Sequence, residues 1–353
     1  MADRAQIMAR AQSLRAGFQA AGALAVDLPI LQPAGTLLDL YGEDIRARAY
    51  VTQDPLRGEQ MLRPDFTVPV VQMHMQSGAS PARYTYMGEV FRKQEDDPSR
   101  ASEYIQVGFE LFDRDNIPRA DAETFVLFAQ ALRDANLQAQ TGDIGLLMAA
   151  VRGLQTTDRR RAALMRHIWR PRKFRALLDR FSGRTPARVR DFSAPAAPHI
   201  GLRGPDEIAQ RIEWLAQDAA AAPICATDLA LIERLLSISA PYDQAMRQLG
   251  DLAKDLPAIA AAVELATARG QAMQAQGVDL TQLPFATSFG RSTMEYYDGF
   301  VFGFAAMDQA DWPLVASGGR YDALTRHLGQ TRDIPAIGGV IRPGLLLELE
   351  GAV

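Results

Sequence analysis

Cysteine is nearly absent from this 353-residue chain, with Cys225 standing alone. A single thiol excludes a disulfide framework and a cysteine-based metal site. Between Ile224 and Ala226 it is expected to be a small buried residue rather than a nucleophile. Histidine is scarce too. His74, His167, His199 and His327 are scattered with no short repeat that would bring two imidazoles to one ion, so no metal and no cofactor is expected. A positive surplus is also missing. The net charge is −4 and the sequence pI about 5.7, which disfavours a nucleic-acid partner bound through its phosphates. No apolar run approaches the ~18 residues of a membrane span. The N-terminus, Met1-Ala2-Asp3-Arg4 followed by an amphipathic pattern, is not a secretory signal. A soluble cytoplasmic protein is the expectation.

What is present is ordinary globular material, 48% hydrophobic and 23% charged, enough for one large domain or two modest ones. Residues 2–21 predict a helix, because Ile7, Ala11, Leu14, Phe18 and Ala21 recur at helical spacing before Gly22. A short extended run follows at 24–31. Strands are expected near 50–52 and 61–63, a short helix at 67–76, and a hairpin at 84–92 and 103–112. In the second hairpin strand Ile105, Val107, Phe109 and Leu111 share one face, and Tyr104, Gln106, Gly108 and Glu110 the other. From 120 to 282 the pattern is mostly helical, with a Gly/Pro/Ser-rich excursion at 182–204. Strands return at 285–289, 294–307 and 314–316, then a helix at 321–328, a strand at 336–341 and a helix at 344–350. Strands at both ends of the chain around a helical middle predict an α+β fold whose sheet is mainly antiparallel.

Four segments carry chemistry: "MLRPDFT" (61–67), "YTYMGEVFRKQEDDPSRASEYIQVGFELF" (84–112), "GRSTMEYYDGFVF" (290–302) and "SGGRYDALTRHLG" (317–329). Each alone has a plain reading as solvated strand, aromatic packing or a glycine turn at Gly318-Gly319. Together they supply more. Gln106 and Glu110 flank Gly108, which leaves room for something to lie on the strand. Asp65 and Thr67 add a carboxylate and a hydroxyl, and Tyr296 and Tyr297 an aromatic wall. This inventory suits a small zwitterionic amino acid.

These segments resemble histidyl-tRNA synthetases, whose class II fold has a six-stranded antiparallel sheet flanked by helices. "LRPDFT" is similar to Leu-Arg-Pro-Glu-x-Thr, "YMGEVFR…EYIQVGFELF" to motif 2 with Phe91-Arg92 and Gln-x-Gly-x-Glu, "EYYDGFVF" to the Asp-Tyr-Tyr segment, and "GGRYDAL" to the run before motif 3. Residues 2–31, with Pro29-Ile30-Leu31, resemble motif 1, the element of self-association. The resemblance covers most of 1–112 and 284–350. It implies a discontinuous core, 1–133 and 284–353, around a mostly helical insertion at 134–283. It also implies a histidine site. Asp65, Thr67 and Gln106 would hold the α-amino group, and Glu110 and Tyr296 the imidazole. Arg92, Tyr297, Gly318 and Gly319 would complete the pocket.

Departures from that pattern fall on the nucleotide side. Ser292 stands where the synthetases have an Arg for the substrate carboxylate, with Arg291 one place off and so on the other strand face. Leu345 stands where motif 3 has an Arg for phosphate, and Arg342 where it has Gly. The motif 2 loop carries Glu95-Asp96-Asp97, and each like-charge pair at contact distance costs roughly 4 kcal/mol near a protein surface. The sequence ends at Val353 without the anticodon-binding domain that a synthetase would carry. A histidine pocket without nucleotide and tRNA machinery resembles the regulatory subunits of ATP phosphoribosyltransferase. The resemblance implies a non-catalytic chain that binds L-histidine as effector, partners the short-form catalytic subunit, self-associates through motif 1 and takes no tRNA. A competing reading is a ligase that activates histidine with ATP; a third is an RNA-binding module. The Arg-rich stretch 159–175 is expected to be a solvated helix face, with a partner interface, which Trp169 favours, or a remnant RNA-contact surface as the alternatives.

Overall fold

The computed structural model describes residues 3–41, 45–94, 100–186, 201–291, 296–307, 309, 311–329 and 333–351. Its strands are β1 (Leu24–Ala25), β2 (Leu31–Pro33), β3 (Val51–Asp54), β4 (Gly58–Leu62), β5 (Ala82–Phe91), β6 (Glu103–Phe112), β7 (Leu137–Asp143), β8 (Ser239–Pro241), β9 (Pro284–Ala286), β10 (Phe300–Ala306), β11 (Ala316–Arg320) and β12 (Ala336–Ile341). Nine of them form one sheet in the order β1-β5-β6-β12-β11-β10-β7-β9-β8, and β2-β4-β3 form a second. Pairing in the large sheet is antiparallel except at β1–β5 and β7–β9. The class of fold is the expected one, a mainly antiparallel sheet flanked by helices.

Alternation along the strands gives the large sheet two faces. One is an aromatic floor on which helices lie. Helix Arg4–Ala20 buries Ala11, Leu14 and Phe18 at helical spacing. Its Phe18 ring lies 5.7 Å from Phe109 and 5.3 Å from Phe128. Helix Ile117–Ala131 is started by Asn116, whose side chain accepts a bond from the Arg119 amide, with Pro118 in the first turn. Its Phe125 faces Phe300, Phe302 and Phe304 of β10. Fully burying each such ring contributes about 1.5–3 kcal/mol.

Charge is buried on the same floor. Asp121 of helix Ile117–Ala131 takes Arg269 through one oxygen and Arg320 through the other, and Asp143 at the end of β7 takes a second nitrogen of Arg269. All four side chains are almost fully enclosed. The network ties helix Ala260–Ala275 and helix Ile117–Ala131 to strands from both halves of the chain.

Several sequence expectations need correction here. The segment 134–283 opens on a strand, because β7 pairs with β10 along its whole length and sits inside the large sheet. The strand expected at 294–307 starts at Phe300, and residues 292–295 lie outside the described residues. Gly318 and Gly319 form no turn; both lie within β11, between β10 and β12. Cys225 is exposed rather than buried, and its Sγ accepts a bond from the Asp228 amide at the start of helix Ala226–Ser237. Among the described residues no helix is long and apolar enough to cross a membrane, and no cluster of three His, Cys, Asp or Glu side chains could hold a metal ion.

Candidate functional site

The other face of the sheet carries the polar residues, and it is enclosed rather than solvated. Register places Tyr84, Glu110, Gly338, Gly319 and Val301 in one row across β5, β6, β12, β11 and β10. Glu110 is fully buried in this row. Its carboxylate leans across β12, where a Cβ on Gly338 would lie 1.5 Å from Oε2. Only glycine there lets the carboxylate take this position.

Three hydroxyls converge on Glu110. Thr67 Oγ1 and the Tyr86 hydroxyl donate to Oε1 at 3.0 and 2.9 Å, and the Tyr321 hydroxyl donates to Oε2 at 2.5 Å. Tyr296 adds an outer link, its hydroxyl donating to Thr67 Oγ1 at 3.3 Å. An ionised carboxylate offers about four acceptor positions, so about one is left for a ligand N–H. Burial pushes the Glu110 carboxyl up from 4.5 to about 7; the Tyr321, Tyr86 and Thr67 hydroxyls pull it down, and nearby Asp65 adds to the rise. Burial and Glu110 together push the Tyr86 and Tyr321 phenols well up, so both remain donors at neutral pH.

Gln106 lies on the same face, two rungs along β6, opposite Gly88. It is fully buried, and neither its amide nitrogen nor its amide oxygen has a hydrogen-bond partner among the described residues. An unmet buried polar group costs about 1–3 kcal/mol, a cost that a ligand removes by bonding to it. Between Gln106 and Glu110 the sequence places Gly108, expected to leave room for a ligand. That space is taken: a Cβ on Gly108 would lie 2.2 Å from the Tyr86 ring. The glycine makes room for the phenol that reaches Glu110, and any ligand lies beyond it.

Asp65 and Thr67 come from the turn into helix Thr67–Ser77. Both are buried, and Asp65 Oδ1 lies 3.5 Å from the Val68 amide. The turn is held from β5 and β6. Arg92 Nε donates to the Pro64 carbonyl at 2.7 Å, which gives Arg92 a part in shaping the site. Arg63 donates to the Leu28 and Glu89 carbonyls and lies 4.0 Å over Phe66, whose ring stacks on Tyr86 at 4.4 Å.

Tyr297 closes the far wall. A Cβ on Gly319 would meet its ring at 2.9 Å, whereas one on Gly318 would meet Phe302 on the opposite face at 2.3 Å. Of the two glycines, Gly319 turns to the site and Gly318 to the aromatic floor. Tyr297 is gripped by the helical region, since Trp169 Nε1 donates to its carbonyl at 2.9 Å. Arg291 is gripped likewise. Its Nε donates to the Ile168 carbonyl and its guanidinium lies 4.8 Å over Phe174, while its Nη2 is buried with no hydrogen-bond partner among the described residues. Burial holds its pKa down at about 10. Ser292 and Glu95-Asp96-Asp97 lie outside the described residues.

The Arg-rich stretch is partly internal, which corrects the solvated-face reading for Arg160 and Arg161, whereas Arg159 stays exposed as expected. Arg160 is buried against the Asp218 carboxylate and the Ala222 carbonyl, Arg161 binds the Leu154 and Thr156 carbonyls, and Arg159 stacks on Trp214 at 3.7 Å. Two site residues were left without a role by the sequence, Tyr86 and Tyr321. Tyr86 was findable, because the hairpin register sets it opposite Gly108.

The profile of the histidyl-tRNA synthetase family matches residues 2–343. Curated proteins similar to this chain include the ATP phosphoribosyltransferase regulatory subunit of Mesorhizobium japonicum, 33% identical over 91% of this chain and 92% of its own length. Those of Brucella anthropi and Agrobacterium fabrum are 30% and 31% identical, covering 92% and 89% of this chain and 93% and 89% of their own lengths. The chain belongs to the ATP phosphoribosyltransferase regulatory subunit family. Solved structures agree on the fold. An ATP phosphoribosyltransferase regulatory subunit/histidyl-tRNA synthetase from Bacillus halodurans superposes with a TM-score of 0.72 at 18% identity, over 99% of this chain and 81% of its own. A histidyl-tRNA synthetase from Nostoc gives 0.68 at 15% identity, over 100% and 74%. The family is thus built on the class II synthetase framework, and membership places the chain in histidine biosynthesis.

Proposed function

We propose that the chain is a non-catalytic, histidine-binding subunit that activates a short-form ATP phosphoribosyltransferase catalytic subunit in the cytoplasm and makes it sensitive to L-histidine. The observation that carries the reading is the enclosed polar face, where three hydroxyls hold the buried Glu110 carboxyl and Gln106 keeps an amide unmet among the described residues. An imidazole N–H suits Glu110, with Tyr296 at its edge. An ammonium group suits Asp65, Thr67 and Gln106, and Tyr297 and Gly319 supply the wall. Gly318 contributes by spacing, since its bare Cα lets Phe302 pack beneath the site. The bond from imidazole to carboxylate is charge-assisted and contributes about 1.5–3 kcal/mol.

Regulation follows if histidine favours one arrangement of the complex, a coupling of about 1–3 kcal/mol, and the catalytic subunit must then change histidine affinity by the same factor. Self-association through motif 1 is supported by apolar side chains left open around it: Leu24, Ile30, Leu31 and Val51 are all at least 39% exposed. The test is co-purification with a short-form catalytic subunit, followed by its activity with and without this chain and with histidine. Stimulation, and inhibition by histidine only in the complex, are expected. An unchanged rate, or pyrophosphate exchange by this chain with histidine and ATP, would overturn the reading, the latter in favour of a ligase.

A further inference from the structure

The residues assigned above take the amino group and side chain of an amino acid, and none of them has yet been given its carboxylate. Arg291, the nearest basic residue in sequence to Ser292, is tied to the Ile168 carbonyl. Another arginine is better placed. Arg342 directly follows β12, its backbone is extended, and its amide bonds to the Val315 carbonyl. Ile341 pairs with Val107, so Arg342 falls level with Gln106. Alternation from Gly338, which faces Glu110, through Val340 puts Arg342 on the ligand face.

Among the described residues its surroundings lack an anion. One guanidinium nitrogen donates to the Leu314 carbonyl, and the Tyr104 phenol hydrogen-bonds the group. No carboxylate among the described residues pairs with it. Burial holds its pKa below the usual guanidinium value, the Tyr104 phenol opposes this, and the like charge of Arg92 adds to it. A half-enclosed cation beside a second arginine and an unmet buried amide is a site arranged for an anion. Leucine at 345 cannot serve, because helix Pro343–Leu349 packs it against the core.

We propose that Arg342 receives the carboxylate of the amino-acid ligand, with the Gln106 amide beside it. This rests on the reading of the face as a histidine site. Arg342 then selects free amino acids over their decarboxylated or reduced relatives.

The experiment is calorimetric titration of the full chain with L-histidine, histamine and histidinol. The wild type is expected to bind histidine about 10- to 100-fold more tightly than histamine or histidinol, the range of one charge-assisted bond. Arg342→Gln is expected to lose that preference by weakening histidine alone, with histamine unchanged. Arg342→Lys, which keeps the charge but not the planar fork, is expected to retain part of it and carries the test if the Gln variant does not fold. Tight histidine binding with the same preference in the variants overturns the role of Arg342 and leaves the histidine site standing. Absence of binding to any of the three ligands by the wild type overturns both.

Discussion

Replacing Glu110 by glutamine removes one ionisable group from the centre of the enclosed polar face while keeping its shape. The buried carboxyl is pushed from 4.5 to about 7. Each tenfold change in proton affinity is worth about 1.4 kcal/mol. The unfolded chain therefore gives up this proton near 4.5, while the folded chain keeps it to about 7. Between those values the folded state binds more protons than the unfolded one, so stability falls as pH rises. The fall amounts to about 3 kcal/mol and is complete just above neutrality. Below the lower value Glu110 contributes no such loss. The carboxyls of Asp298 and Asp322 are raised by burial as well, so the wild-type curve alone is ambiguous. The difference between wild type and Glu110→Gln isolates the one group. Urea unfolding of both proteins at half-unit steps from pH 4 to 8 measures it. The wild type is expected to lose about 3 kcal/mol relative to the variant across the window. Parallel curves would refute the account of Glu110 as a carboxyl forced to ionise without water.

Gly338→Ala drives a methyl into Glu110 Oε2, and overpacking of this kind typically costs 1–3 kcal/mol or more, about what a shifted urea midpoint should report. An unchanged midpoint would mean that the carboxylate has another place to go. Asp121→Ala leaves the Arg269 and Arg320 guanidiniums facing one another without their shared carboxylate and is expected to cost about 3–5 kcal/mol, read by denaturant unfolding. A loss below 1 kcal/mol would argue that water enters the network. Trp169→Phe removes one bond to the Tyr297 carbonyl, an expected loss of about 1 kcal/mol in stability, and histidine affinity measured by calorimetry should fall with it. Full affinity in that variant would show that the helical region does not position Tyr297.

Much of this was legible in the sequence, for identifiable reasons. The helices at 4–20, 67–77 and 322–328 and the hairpin of β5 and β6 follow from period and stop residues. Gln106 and Glu110 could be placed on one face because alternation fixes it locally. Position across the sheet was harder. That Gly108 admits Tyr86, that Gly338 admits Glu110 and that β7 completes the sheet all depend on partners distant in the chain. Gly318-Gly319 looked like a turn for the same reason. Two glycines inside a strand make sense only when Phe302 and Tyr297 are seen packing on opposite sides of them. Cys225 was misread because Ile224 is buried and its neighbour is not.

The pairing of β6 with β12 bears on how the protein comes to exist in a cell. While the ribosome is still making the helical middle, the long hairpin is already outside with its Glu110 strand open along one side. Its hydrogen-bonding groups wait for a partner that has not been synthesised. Until the closing strands emerge, the nascent chain exposes a sticky border and an unfinished polar face. The interval between synthesis of β6 and of β12 is therefore when the nascent chain is most prone to pair wrongly and when a chaperone would be most useful to it.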